Sequence, residues 1–127
     1  MSADPRALPP SPEPFVRGSA VREIPITAIE GRPLGNMALK PMIVGDDMVC
    51  LEINLKKGTA SPEHIHHDHE SICYLARGKL RCVIGGREYI AQAGDVWVHR
   101  AGVPHYHEAL EDSLQIEIKS PPRKTWG

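Results

Sequence analysis

At 127 residues the chain has room for one domain, and its net charge of −1, with acids and bases mixed throughout, leaves no basic stripe to neutralise phosphates. Nucleic acid is therefore not an expected partner, and no apolar run approaches the roughly 18 residues of a membrane span, so no membrane partner is expected either. Cys50, Cys73 and Cys82, an odd count without a CxxC pair, read as reduced core thiols and suit a cytoplasmic protein.

The N-terminus, Met1-Ser2-Ala3-Asp4-Pro5, has neither the basic nor the apolar region of a signal peptide. Residues 1–18 carry Pro5, Pro9, Pro10, Pro12 and Pro14, and proline lacks the amide donor a helix needs, so this stretch is expected to be an extended arm, flexible or lying along a partner subunit. Residues 19–127 form the expected domain. From Val21 onward the pattern predicts strands at Val21–Ala28, Ala38–Val44, Asp47–Leu55, Ser71–Ala76, Lys79–Ile84, Arg87–Ala91, Val96–His99, His105–Ala109 and Ser113–Lys119. Gly45-Asp46, Gly85-Gly86 and Gly94-Asp95 are turn dipeptides between them, and Gly78 divides two strands. No stretch keeps a 3.6-residue apolar period for three turns. The expected class is all-β, an antiparallel sandwich or barrel.

All seven histidines lie between His64 and His107, four of them within His64–His69. In an extended segment residues two apart share a face, so His64 and His66 can offer their imidazoles to one metal ion while Ile65 turns away. Glu70 keeps the same parity if the strand is uninterrupted. A third histidine, His105, follows the turn residues Gly102 and Pro104 after the strand ending at His99.

These two elements resemble the paired motifs of the cupin family over roughly residues 48–120. The first is Gly58, His64, His66, Glu70 and Gly78. The second is Gly94, Gly102 and His105, with Arg100 where a proline is usual and Ala109 where an asparagine is usual. The resemblance implies a jelly roll (double-stranded β-helix) holding one divalent transition metal, iron, manganese, nickel or zinc, on His64, His66 and His105. The fourth position stays open: counting forward from His66 favours Glu70, counting back from Gly78 gives Ser71, and His67 or His69 are further alternatives. One residue of slip flips the face of a strand.

His107 shares the face of His105 and is a candidate proton shuttle, and Tyr74 a candidate general acid, both being commonly packing or rim residues elsewhere. His67, His69 and His99 read as surface or supporting groups. The Ser120-Pro121-Pro122-Arg123 ending is similar to that of the pectin-degradation cupins that linearise unsaturated uronates, which implies a carboxylate-binding role for Arg123; Lys119 departs from the aromatic common there. Two functional readings follow. One is a metalloenzyme acting on a small organic acid or sugar acid by isomerase, lyase or oxygenase chemistry. The other is a non-catalytic, metal-dependent small-molecule binder or sensor. The arm and strand edges suggest a homodimer.

Overall fold

Strict alternation in Val49-Cys50-Leu51-Glu52-Ile53-Asn54-Leu55 buries Val49, Leu51, Ile53 and Leu55 and turns Cys50, Glu52 and Asn54 outward, the period-two signature of a sheet with one covered face. The computed structural model describes residues 4–29 and 32–126. Within them run β1 (Ile24–Ile29), β2 (Arg32–Val44), β3 (Val49–Leu55), β4 (Glu70–Arg77), β5 (Lys79–Ile84), β6 (Arg87–Gln92), β7 (Val96–His99), β8 (His105–Ala109) and β9 (Ser113–Ser120). One sheet has the order β1-β2-β3-β9-β4-β7 and the other β6-β5-β8, with antiparallel pairing throughout. This is the expected jelly roll.

All nine expected strands are present, and the differences lie at ends. Gly18–Ala20 forms a 3-10 turn, so β1 begins at Ile24 and not Val21. Pairing of Ala28 with Pro33 and Ile29 with Arg32 carries β2 back through Pro33 and Gly35, residues that read locally as a break. The arm lies along its own chain. Ala7 bridges Arg123, Leu8 N–H donates to the Pro122 carbonyl at 3.1 Å, and Ser11 N–H donates to the Val44 carbonyl at 2.9 Å. Its first three residues, like Gly127, fall outside the described ones.

The core fills the space between the sheets, with Leu51, Leu55, Leu75 and Leu80 fully enclosed. Each such side chain contributes on the order of 2 kcal/mol through removal of its apolar surface from water. Cys50, Cys73 and Cys82 are unpaired, and burial raises the Cys73 and Cys82 thiols, the latter to about 11, which keeps them protonated and inert.

The two glycines of the first motif do different work. Gly58 has φ of 89°, and a Cβ added there would meet nothing within 4 Å. Gly78, φ 95°, lies against the β8–β9 turn, where a Cβ would sit 2.5 Å from the Asp112 carbonyl oxygen and 2.7 Å from Ser113 Cα. Gly58→Ala is expected to cost about 1 kcal/mol of backbone strain. Gly78→Ala adds a clash with backbone and is expected to cost about 2–4 kcal/mol. Denaturant unfolding of both variants checks the difference; equal losses would show that the close approach at Gly78 does not matter.

Candidate metal centre

The chain from Gly58 to His66 runs beside β8, bridging it at Ala60 and His64. Gly58 N–H donates to the Ala109 carbonyl, Ser61 N–H to the His107 carbonyl, and His64 and His105 exchange both backbone hydrogen bonds at 3.0 Å. His64 therefore stands directly opposite His105, and His66 follows on the same side after the exposed Ile65. One nitrogen from each of His64, His66 and His105 can be chosen so that all three lie within 4.8 Å of one another, and all three side chains are buried.

Two of the rings are held with one nitrogen committed to a backbone carbonyl and the other left for a metal. His64 Nδ1–H donates to the Pro62 carbonyl at 2.7 Å, and His105 Nδ1–H donates to the Val103 carbonyl at 3.1 Å. Each bond leaves the lone pair on Nε2. Burial, reinforced by the neighbouring rings, pulls His66 down to about 2, and burial with His64 nearby pulls His105 down to about 4. Neutral imidazole is the ligating form. Buried, converging imidazole nitrogens of this kind fit a divalent transition metal such as iron, manganese, nickel or zinc.

Other histidines gather around the three. His99, at the end of β7, stacks on His105 with centroids 3.7 Å apart and planes 11° apart, and its pKa is lowered by burial and then by His105. His69 lies 4.3 Å from His66, ring to ring, with Nδ1 2.8 Å from Asp68 Oδ1 and no hydrogen-bond partner for Nε2 among the described residues. His107 faces the same cavity, lowered to about 4 by burial against an opposing pull from Glu117, and neither ring nitrogen has a hydrogen-bond partner among the described residues. His69 and His99, expected as surface or supporting groups, are thus both interior; His67 is exposed.

Glu70 does not join the cluster. Residues 67 and 68 bend, so the strand from His66 to Glu70 is interrupted and the parity resets by one: His69 and Ser71 point inward and Glu70 is exposed. The backward count from Gly78 to Ser71 describes the register correctly. Tyr74 is likewise corrected, for it shares the outward face of β4 with Ile72 and is 45% exposed, while Cys73 and Leu75 face the core. Arg123 pairs through Nε with Asp4 Oδ2 at 2.8 Å and is not brought to the histidines.

Glu117 and Lys119 were missed. Pairing of Leu51 with Glu117 and of Val49 with Lys119 places both on the inward face of β9, in a polar row with Ser113 and Gln115. Both line the cavity that His64, His66, His99, His105 and His107 enclose, a space of about 40 Å³ closed on one side by Thr125 and Trp126. The signal that could have found them is the polar phase of Ser113-Leu114-Gln115-Ile116-Glu117-Ile118-Lys119, four polar residues at period two on a central strand. Two larger open grooves, about 710 and 690 Å³, have no histidine in their walls.

The family model described as a cupin domain matches residues 51–118. No curated protein matches the chain. Among solved structures it is similar to KdgF from a Halomonas species, at 27% identity and a TM-score of 0.67 over 68% of this chain and 80% of that one. The fold is also similar to an RmlC-like cupin from Shewanella frigidimarina (19% identity, TM-score 0.74, 86% and 91% of the two chains). A third similar structure is a predicted oxalate decarboxylase from Thermotoga maritima (19% identity, TM-score 0.72, 85% and 98%).

Proposed function

Because the chain belongs to the cupin family, we propose that it is a metal-dependent cupin enzyme acting on a small oxygen-rich organic acid or sugar acid, with His64, His66 and His105 holding one divalent transition metal. The observation that carries this reading is the convergence of three buried imidazoles, two of them fixed by backbone carbonyls with Nε2 available. The sugar-acid class draws on the Ser120-Pro121-Pro122-Arg123 resemblance and on the likeness to KdgF.

A divalent ion held there supplies Lewis-acid polarisation of a substrate oxygen or lowers the pKa of a bound water. The chain's own groups do the rest. His64 and His105 are oriented by the Pro62 and Val103 carbonyls, so the ligating nitrogens need little reorganisation. Neutral His107, in the same cavity wall, accepts or returns a proton, and the Glu117 carboxylate is a second proton-accepting group facing that space. The apolar side chains Ile26, Leu39, Leu51 and Ile53 on the opposite wall exclude water, which strengthens every charge interaction inside.

A second reading is a non-catalytic, metal-dependent small-molecule binder, since the same three histidines would hold the metal in either case. Product analysis separates the two. Metal-loaded protein incubated with small hydroxy, keto and uronic acids is expected to convert at least one of them, and the His64→Ala, His105→Ala double variant to lose that conversion by about a hundredfold or more. Saturable binding with no product would favour the binder, and equal turnover by the double variant would remove the histidines from the reaction.

A further inference from the structure

An antiparallel sheet that turns one face to solvent is ordinarily polar on that face, and the outer face of the larger sheet here is not. Register pairs Ile72 of β4 with Ile118 of β9 on one side and Val98 of β7 on the other, and pairs Tyr74 in the same way with Ile116 and Val96. Partners across a ladder share a face, so these six side chains form one apolar patch three strands wide. Its centre is open, with Ile72 57% exposed and Val96 65%. The N-terminal arm does not cover it. Pro10, Pro12 and Pro14 flank the patch on its β3 side, where they wall a groove with Met48, Cys50 and Ile118 that does not reach Ile72 or Tyr74. A contiguous apolar patch of this kind marks an interface.

The charges at its two ends define the partner. Along the outer face of β4 the order is Glu70, Ile72, Tyr74 and, past the register shift between Leu75 and Arg77, Arg77. Glu70 pairs with Ser120 and Arg77 with Leu114, so both belong to the same outward row. Both are exposed, and neither has an ion-pair partner among the described residues. At about 3.3 Å per residue they stand roughly 23 Å apart, too far to pair within one chain. A second copy, turned about a two-fold axis that crosses the strands at right angles between the two sheets, presents the same row in reverse. The second copy's Glu70 then meets Arg77, its Arg77 meets Glu70, and the Ile72 and Tyr74 side chains meet between them. Parallel stacking of β4 on β4 would instead set like charges together at both ends.

We propose that this face is a homodimer interface: two copies stack their larger sheets with β4 antiparallel to β4, and two reciprocal Glu70–Arg77 ion pairs close the ends of the apolar patch. The ion pairs set the orientation, and the apolar centre supplies the affinity. Neither the arm nor a strand edge makes this assembly, for the arm is hydrogen-bonded along its own chain.

Light scattering coupled to size exclusion tests this on the full chain at micromolar concentration, with an expected mass of twice the 14.0 kDa of one chain. Ile72→Glu, which would bury a carboxylate in the apolar centre from both copies, is expected to weaken the dimer by at least about a hundredfold. Glu70→Arg alone and Arg77→Glu alone each set like charges together twice, and each is expected to weaken it at least about tenfold. The double exchange Glu70→Arg, Arg77→Glu is expected to restore most of the wild-type affinity. The two positions are too far apart to compensate each other within one copy, so restoration requires the antiparallel stack. These side chains are exposed, and circular dichroism is expected to show an unchanged fold in every variant. If Ile72→Glu does not fold, the charge exchange decides the matter by itself. A monomeric wild type would overturn the proposal. So would a dimer indifferent to these substitutions, or single reversals that the double exchange fails to rescue.

Discussion

Protein purified without added metal and without a histidine tag is expected to carry about one equivalent of a divalent transition metal per chain, and His64→Ala almost none. The loss is expected to be near total because the cavity offers three converging nitrogens, and removing one leaves two neutral ligands in a site too buried to recruit a replacement from the surface. The affinity change is expected to exceed the roughly 10–100-fold that accompanies loss of a supporting hydrogen bond. Glu70→Gln is the informative control. Its side chain is exposed and on the outer face of β4, so metal content is expected to stay at the wild-type level. Mass spectrometry of the three proteins reads all of this at once. A metal lost with Glu70→Gln would mean that the register of β4 differs from the one described here.

The second large effect is on acid stability. Unfolded histidines take up protons as the pH falls through about 6.5, whereas folded His105 and His107 do so only near 4 and His66 only near 2. Between those limits the unfolded chain binds more protons, so stability falls as the pH drops from 6.5 towards 4. His105 and His107 together remove on the order of 6 kcal/mol by pH 4, which is comparable to the whole stability of a typical domain. The metal-free protein is therefore expected to unfold cooperatively between about pH 4 and 6, followed by circular dichroism. A bound metal competes with protons for the ring nitrogens and is expected to move the midpoint to lower pH. A midpoint below pH 3 in the metal-free protein would contradict the burial described for His105 and His107.

Much of the architecture was legible in the residues. Period-two alternation and turn dipeptides determined the all-β class and the nine strands, because each depends on local backbone preference or on side chains two residues apart. The meeting of His105 with His64 and His66 was legible only through the resemblance of two spaced motifs to the cupin pattern. Tertiary structure alone decided the rest. A bend at residues 67 and 68 shifts the face of β4 by one residue, which turns Glu70 and Tyr74 outward and His69 and Ser71 inward. The forward count from His66 assumes an uninterrupted strand and misses the slip, whereas the backward count from Gly78 stays within β4 and keeps the right phase. On β9, Leu114, Ile116 and Ile118 look like the core-facing set, but pairing with both β3 and β4 commits the strand to the opposite phase and carries Gln115, Glu117 and Lys119 into the barrel. The face a strand buries is set by the neighbours that hold its hydrogen bonds. In this protein that choice brings a carboxylate and an ammonium beside the histidines.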